Sequence, residues 1–161
     1  MTLILHRIDD RLIHGQVVVG WAQPLDVRFI ILVDDEVAAS EWEQELYRMG
    51  VPPNMDVYFL SVAKAIDELP RYRADARHGI LLTGDIGTMR QLVDAGGISS
   101  INLGGIHHRA GRTQRLRYVF LNEQEESALR DLATRGVAVS AQDVPGARPI
   151  PLDDLLHGVA S

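Results

Sequence analysis

The sequence contains no cysteine, and this absence removes several classes of protein at once. Disulfide scaffolds, cysteine-ligated zinc or iron–sulfur centres and thiol catalysis are all excluded. No apolar run approaches the roughly 20 residues that a membrane-spanning helix needs. The segment from Met1 to Arg7 also lacks the charged, apolar and cleavage-site regions of a signal peptide. These absences predict a cytoplasmic soluble protein, and a reducing compartment fits the missing thiols.

Positive charge is also in short supply. The 161 residues include 16 Lys and Arg against 22 Asp and Glu, which gives a formal net charge of −6. Nucleic-acid-binding proteins normally present a net basic field, so neither nucleic acid nor an anionic lipid surface is an expected partner. With 46% hydrophobic and 24% charged residues, the composition is that of a globular protein. The length predicts a single domain over residues 1–161.

Short β-like runs alternate with helical patterns along the chain. This order predicts an α/β fold, with an open, mainly parallel sheet of about six to seven strands flanked by helices on both faces. The second run is nearly all apolar, as expected of a strand that is covered on both faces. The predicted strands are Leu3–Ile8, Val27–Val33, Asp56–Leu60, Gly79–Thr83, Ser100–Leu103, Arg117–Leu121 and Val137–Ala141.

Helical patterns fill most of the segments between these runs. Apolar spacing predicts one helix from Val37 to Met49, and the two tryptophans, Trp21 and Trp42, are interpreted as core or interface anchors. Other helices are predicted at 14–23, 62–69 and 86–95, and a further one between Asn122 and Gly136. The predicted N-caps are Ser61, Asp85 and Asn122, with Glu125 completing a capping box, and Pro70 is expected to end the helix that Ser61 begins.

Ligands of open α/β sheets bind beyond the carboxyl ends of the strands. The loops that follow the predicted strands are therefore the segments in which to look for function. They concentrate acidic, glycine and histidine residues, at 9–16, 34–35, 84–85 and 104–108. This clustering predicts an active site at that edge of the sheet.

The first of these loops is the most informative. His14 is predicted to lie at a helix N-terminus, where free backbone N–H groups favour an anion, and Gly15 lets the backbone approach a bound group. Arg11 supplies a planar cation suited to phosphate oxygens, while Asp9 or Asp10 is expected to fix the imidazole or to hold Arg11. These residues match a nucleophilic histidine that accepts a phosphoryl group.

A structural interpretation carries equal weight on these residues alone, since a histidine that caps a helix beside a salt-bridged loop is common. A metal site is disfavoured, because the spacing around His14 matches no standard ligand motif.

The run Arg7-Ile8-Asp9-Asp10-Arg11-Leu12-Ile13-His14-Gly15-Gln16-Val17, followed by Trp21, carries a family resemblance. It resembles the mannose/fructose/sorbose-family IIB components of the bacterial sugar phosphotransferase system. The resemblance continues at 30–38, 101–106 and 132–139 and ends at Val144-Pro145, so it covers almost the whole chain in the family's order.

This resemblance implies a cytoplasmic phosphocarrier that acts as a protein-Npi-phosphohistidine–sugar phosphotransferase. A phosphorylated IIA protein would pass its phosphoryl group to Nδ1 of His14, and His14 would donate it to a sugar entering through the membrane IIC/IID proteins. Arg11 would stabilise the phosphate. No cofactor and no metal are implied, and any membrane contact would be made through these protein partners.

Other residues are assigned supporting places. We expect Gly15 and Gln16 to add backbone donors to the phosphate. A further group is expected near the pocket rather than in the chemistry: Asp9, Asp10, Asp35, Thr83 and Asp85.

Several features keep two interpretations. Asp34-Asp35-Glu36 suits N-capping better than a Mg²⁺ site, and His107-His108 suits an exposed loop pair better than a metal site or a second phosphosite. The basic stretch, which comprises Arg109, Arg112, Arg115 and Arg117, is either a docking face for an acidic partner or a solvated edge.

Two other functions are also considered. A regulatory phospho-signalling module with the same histidine chemistry remains open. A nucleotide-binding domain is disfavoured, because no glycine-rich phosphate motif follows the first strand.

Overall fold

Seven strands pair into one sheet in the order β3-β2-β4-β1-β5-β8-β9, in a computed structural model that describes residues 2–157. Every neighbouring pair in this sheet is parallel except β8 with β9. The strands are β1 Leu3–Ile8, β2 Val27–Val33, β3 Asp56–Leu60, β4 His78–Thr83, β5 Ser100–Leu103, β8 Ala138–Ala141 and β9 Ile150–Pro151. The predicted α/β fold with a mainly parallel sheet is confirmed.

The two faces of the sheet carry separate apolar clusters. Along β2, Phe29 and Ile31 belong to one cluster while Ile30 and Leu32 belong to the other, as the alternation of side chains in a strand requires. Helices cover both faces, which confirms the expectation drawn from the apolar β2. They are α1 Asp35–Ala38, α2 Glu41–Met49, α3 Val62–Arg73, α4 Ile86–Asp94, α5 Glu123–Thr134 and α6 Leu152–Leu156.

The predicted N-caps are confirmed, because each depends on residues close together in sequence. Ser61 accepts a hydrogen bond from the backbone N–H of Lys64, and Asp85 accepts one from Thr88. Asn122 and Glu125 form the reciprocal capping box at the start of α5.

Two predicted helix boundaries are wrong. α3 continues through Pro70 to Arg73, since Leu69 and Tyr72 stay buried in the core and their packing outweighs the one helical hydrogen bond that a proline removes. The predicted helix from Val37 to Met49 is divided into α1 and α2, because the side chain of Ser40 accepts from the N–H of Glu43 and caps a new helix that begins at Glu41.

The predicted strand Arg117–Leu121 is observed only over Val119–Leu121, and it does not join the main sheet. That segment belongs to a separate antiparallel hairpin of β6 Thr113–Leu116 and β7 Val119–Leu121, so Arg117 lies in the turn. The helix predicted at 14–23 is shorter and wider than expected, and is a π-helix over Gln16–Ala22. Trp21 is buried as predicted, whereas Trp42 is exposed.

None of the helices in residues 2–157 combines the length and the apolarity that a bilayer crossing demands.

A buried histidine on β1 makes the fold sensitive to pH. His6 is 5% exposed, and burial, assisted by the charge of Arg73, lowers its pKa from 6.5 to about 4. The unfolded chain therefore binds a proton below pH 6.5 that the folded protein does not. The free energy of unfolding should fall as the pH drops from 6.5 to about 4, by at most about 1.4 kcal/mol per pH unit.

Urea unfolding of wild type and His6→Gln at a series of pH values between these limits measures the effect. The His6→Gln protein should lose less stability per pH unit, while the exposed His157→Gln control keeps the wild-type slope. An unchanged slope in His6→Gln would contradict the assignment.

Candidate functional site

The loop after β1 is fixed at the carboxyl edge by the two strands beside it. The backbone N–H of Asp9 donates to Thr83 O at 2.9 Å, and that of Asp10 donates to Gly105 O at 2.8 Å. These bonds hold the loop between the ends of β4 and β5, the strands that pair with β1. The loop is therefore held at the predicted edge by β1 and by the two strands that pair with it.

Leu12 bends the loop sharply. Its φ of 59° is in the left-handed region, which costs a non-glycine residue roughly 1–2 kcal/mol. Gly84 leaves room for this bend, because a Cβ there would lie 2.8 Å from Cδ2 of Leu12. The result is that the carbonyl oxygen of Leu12 lies 2.9 Å from Nδ1 of His14.

His14 is held with both of its ring nitrogens turned inward. A carbonyl oxygen can only accept, so Nδ1 carries a hydrogen and donates it to Leu12 O, and in the neutral form of the ring the lone pair is then on Nε2. Nε2 is buried without a hydrogen-bond partner and lies 3.8 Å from Oδ2 of Asp9. The side chain as a whole is 19% exposed.

Two arginines share the carboxylate of Asp9. Arg11 donates from Nε to Oδ1 at 3.0 Å and from Nη2 to Oδ2 at 2.8 Å, and Arg7 donates from Nη2 to Oδ2 at 3.2 Å. Arg7 and Asp9 are fully buried, whereas the side chain of Arg11 is 31% exposed. We refer to these three residues as the Arg7–Asp9–Arg11 cluster. Asp9, one of the two aspartates considered for this role, thus holds Arg11.

The charges in this cluster reinforce one another. Burial alone would raise the pKa of the Asp9 carboxyl, but the hydrogen bonds from Arg11 and the charge of Arg7 outweigh it and hold that pKa below its usual range. The hydrogen bond to Asp9 in turn raises the pKa of Arg11. With two guanidinium groups and one carboxylate, these three residues carry a net positive charge, and the partly exposed Arg11 is the cation that an anion at this edge would meet.

Arg7 is the part of the site that the sequence analysis did not identify. Its Nη1 donates to the side chain of Asn102 and, at 2.9 Å, to Gln142 O, and its Nη2 donates to Asp143 O at 3.1 Å. Its guanidinium also lies 4.8 Å from the centroid of the Trp21 ring. An arginine inside a predicted central strand was the available signal, because a buried arginine needs a carboxylate partner.

Asp143 reaches the site from the other end of the chain. Its Oδ1 lies 3.9 Å from Nη2 of Arg11, and its Oδ2 lies 3.3 Å from Nη2 of Arg117. Its backbone oxygen accepts from Nε1 of Trp21 at 3.2 Å. No local pattern in the sequence indicates this contact.

The residues predicted to bind phosphate are placed around this cluster. Gln16 accepts a hydrogen bond from Nη1 of Arg11 through its side chain, so it orients Arg11. Gly15 has no protein atom within 4 Å of the position that a Cβ would occupy, which leaves open space at the start of the π-helix.

The other expected pocket residues do not all meet. Asp10, Asp35 and Asp85 line one cavity of about 560 Å³ next to the loop, whereas Asp9, His14 and Thr83 do not line it. The hydroxyl of Thr83 is buried and donates to Asp85 O at 3.2 Å, a local contact behind the edge.

The acidic run after β2 is engaged with backbone groups. The carboxylate of Asp34 caps α1 by accepting from Val37, as the favoured interpretation predicted, and that of Asp35 accepts from the N–H of Val62 at 2.9 Å. Across residues 2–157, no group of three or more His, Asp or Glu side chains is arranged to hold a metal ion.

Asp10 bonds to His107 instead of to His14. It accepts from the backbone N–H of His107 at 2.7 Å and contacts Nδ1 of the same residue. His107 is exposed, as is His108, in agreement with the loop-pair interpretation.

Most of the basic stretch is neutralised within the molecule. Arg112 pairs with Glu125 at 2.7 Å, Arg115 pairs with Glu126 at 2.6 Å, and Arg117 pairs with Asp143. These ion pairs favour the interpretation of the stretch as a charge-compensated edge rather than a docking face.

Taken together, the fold and the site define an α/β domain that presents a histidine and a net cationic cluster at the carboxyl edge of a parallel sheet. The family described as the PTS system sorbose subfamily IIB component matches residues 3–160. The chain belongs to this family, and is a IIB component of the bacterial sugar phosphotransferase system, as the sequence resemblance indicated.

Individual relatives agree with this assignment. The chain is 34% identical over 160 residues to the mannose-specific EIIAB component of Escherichia coli K12. The aligned region covers 99% of this chain and 50% of that protein. The chain thus spans about half the length of that relative. It is 32% identical over 162 residues to the sorbose-specific EIIB component of Klebsiella pneumoniae. This alignment covers 99% of this chain and 98% of that protein.

A solved structure is similar throughout. The crystal structure of the IIBSor domain of the sorbose permease from Klebsiella pneumoniae matches with a TM-score of 0.88 at 31% identity, covering 98% of this chain and 97% of that one.

Gly104 tests how tightly the cluster is packed. A Cβ at this position would lie 2.3 Å from Nη2 of Arg7 and 2.6 Å from Oδ2 of Asp9, so Gly104→Ala must displace one of them. Breaking a buried ion pair costs roughly 3–5 kcal/mol, and we expect a loss of about 3 kcal/mol in the free energy of unfolding. Urea unfolding measures this loss. Gly146→Ala, which meets no atom within 4 Å, is the control, and equal stability of the two variants would contradict the prediction.

Proposed function

We propose that this protein is a cytoplasmic phosphocarrier: it accepts a phosphoryl group from a phosphorylated IIA protein on His14 and donates it to a sugar during uptake through IIC/IID membrane proteins. The observation that carries the proposal is the position of His14 against the Arg7–Asp9–Arg11 cluster, whose net positive charge suits a phosphoryl group. The family assignment and the names of the relatives support the same role.

The transfer consists of two exchanges at phosphorus. In the first, a lone pair of His14 attacks the phosphorus of the IIA phosphohistidine, an N–P bond forms at His14 and the N–P bond to the donor breaks. In the second, a sugar hydroxyl attacks, an O–P bond forms, the N–P bond at His14 breaks and the hydroxyl proton passes to water. Arg11 stabilises the charge on the transferring oxygens, and the open space at Gly15 lets the N–H groups of Gly15 and Gln16 approach them.

Attack by Nδ1 requires the other tautomer of the ring. In the structure Nδ1 donates to Leu12 O, and a nitrogen that carries a hydrogen has no lone pair available for attack. When the proton moves to Nε2, the carboxylate of Asp9, 3.8 Å away, becomes its acceptor after a ring movement of about 1 Å. Asp9 thereby fixes the tautomer whose Nδ1 is free, so it acts as a positioning residue.

The identity of the phosphorylated residue is the first test. Incubation with phosphorylated IIA should place an acid-labile, base-stable label on the wild-type protein, and His14→Ala should take none. His107→Ala and His108→Ala are matched controls at exposed histidines and should keep the label. A label retained without His14 would overturn the proposal. Phosphorus–nitrogen couplings in the NMR spectrum of the labelled protein should assign the phosphoryl group to Nδ1.

A discharge step separates transport from regulation. Adding the sugar together with inside-out vesicles that hold the cognate IIC and IID proteins should remove the label and yield sugar phosphate. A label that stays on His14 under these conditions would support the regulatory module instead.

The role of Arg11 is tested by its rate effect. Arg11→Ala removes the exposed cation that faces the phosphoryl group but leaves the buried pair of Arg7 with Asp9, so the protein should fold and accept the label about 10²-fold more slowly. The rate is measured from the amount of label on the protein in reactions quenched at a series of times. Arg28→Ala, which removes an exposed arginine paired with Asp26, is the matched control and should transfer at the wild-type rate. An unchanged rate in Arg11→Ala would remove Arg11 from the mechanism.

A further inference from the structure

Helix α2 has its apolar side facing outward. None of its residues is buried, and three large apolar side chains are exposed: Trp42 by 71%, Leu46 by 51% and Met49 by 83%. Their spacing places them on one side of the helix, and we refer to these three residues as the α2 stripe. An apolar stripe on a surface helix ordinarily faces the core. Here α2 meets the sheet through its half-buried opposite side, where the rings of Tyr47 and Phe59 lie 6.4 Å apart.

Glutamates border the α2 stripe on both sides. At 100° per residue, Glu41 and Glu45 lie along one margin and Glu43 lies along the other. Arg48 is bonded to Glu45 at 2.9 Å and stacks over Phe59, so it compensates Glu45 and leaves Glu41 and Glu43 as the acidic groups of the margins. A partner for this surface therefore needs an apolar anchor point surrounded by basic groups.

A second copy of the chain does not meet this requirement. A symmetric dimer through the α2 stripe would bring the glutamate margins of both copies together, and like charges placed across an interface are repelled. The net charge of −6 adds to this repulsion.

The α2 stripe lies to one side of the edge where phosphoryl transfer takes place. α2 packs beside β3, the outermost strand, and three strand spacings separate β3 from β1, which carries the His14 loop. At about 4.8 Å per spacing the lateral distance is about 14 Å. The α2 stripe is therefore a surface separate from the His14 loop.

We propose that the α2 stripe binds a Lys/Arg-rich cytoplasmic loop of the membrane permease that receives the phosphoryl group. This inference rests on the proposed function. Cytoplasmic loops of membrane proteins carry an excess of Lys and Arg, which complements the glutamate margins. Trp42 supplies an anchor of the kind that dominates binding energy at interfaces. The contact holds the carrier at the membrane, while His14 remains free to receive the phosphoryl group from IIA.

The double variant Trp42→Gln/Met49→Gln tests the proposal. Both side chains are exposed, so the substitutions leave the core unchanged. In sugar phosphorylation with inside-out vesicles that hold the cognate IIC and IID proteins, we expect the KM for the variant carrier to rise about tenfold or more with little change in kcat. Co-sedimentation with the same vesicles should weaken in parallel, while the rate of labelling by phosphorylated IIA stays at the wild-type value.

Two further variants distinguish the contribution of the apolar stripe from that of its charged margins and from a general loss of exposed apolar surface. Ile66→Gln removes an exposed apolar side chain from α3, outside the stripe, and should behave as wild type. Glu41→Lys keeps the stripe but reverses one marginal charge, and should weaken co-sedimentation most at low ionic strength.

Three results would contradict the proposed docking of the permease loop on the α2 stripe. A wild-type KM in Trp42→Gln/Met49→Gln would overturn the proposal. Slower labelling by phosphorylated IIA with an unchanged KM for vesicles would assign the α2 stripe to IIA and would also overturn it. If the wild-type protein took no label from phosphorylated IIA, the proposed function would fail first and the docking inference would fall with it.

Discussion

The rest of the site depends on the ion pairs that the carboxylate of Asp9 forms with Arg7 and Arg11. This carboxylate binds Arg7 inside the protein and Arg11 near the surface, and it lies 3.8 Å from Nε2 of His14. Without Asp9, Arg7 would be a buried cation without a counter-charge, and a buried ion pair that loses one partner costs several kcal/mol. The same carboxylate therefore stabilises the fold and orients the groups proposed to handle phosphate.

A buried charge network of this kind constrains everything around it. Arg7 needs acceptors from the segment after β8, so Gln142 and Asp143 present their backbone oxygens to it. It also needs space, and the missing side chain at Gly104 provides that space. Because the loop is further bonded to the ends of β4 and β5, the candidate site is attached to the strands on either side of β1 within the sheet. This attachment supplies the rigid support that precise placement of a reacting group requires.

Local chemistry explains which parts could be predicted from the sequence. Caps such as Asn122 with Glu125 involve neighbours in the chain, and the apolar β2 shows its burial in its own composition. The loop with Arg11 and His14 is recognisable because its residues are contiguous. The contact of Arg7 with Gln142 is not, because it joins residues 135 positions apart. Periodicity alone also cannot tell an apolar stripe that meets the core from one that meets solvent, which is why the sequence left Trp42 as either a core or an interface anchor.

The inward orientation of His14 has a consequence for a phosphocarrier. Nδ1 is bonded to Leu12 O, and Nε2 is buried without a hydrogen-bond partner. Attack by Nδ1 on phosphorus, as proposed, must therefore first break the bond to Leu12 O through a small movement of the ring. Under the proposed function, a partner that docks at the carboxyl edge would supply the binding energy for this movement. The free-energy cost of this movement is small. The ring loses one neutral hydrogen bond to Leu12 O, worth about 1 kcal/mol, and gains a charge-assisted one to Asp9. The geometry of Leu12, Asp9 and His14 is thus suited to a histidine that waits in one tautomer and reacts in the other.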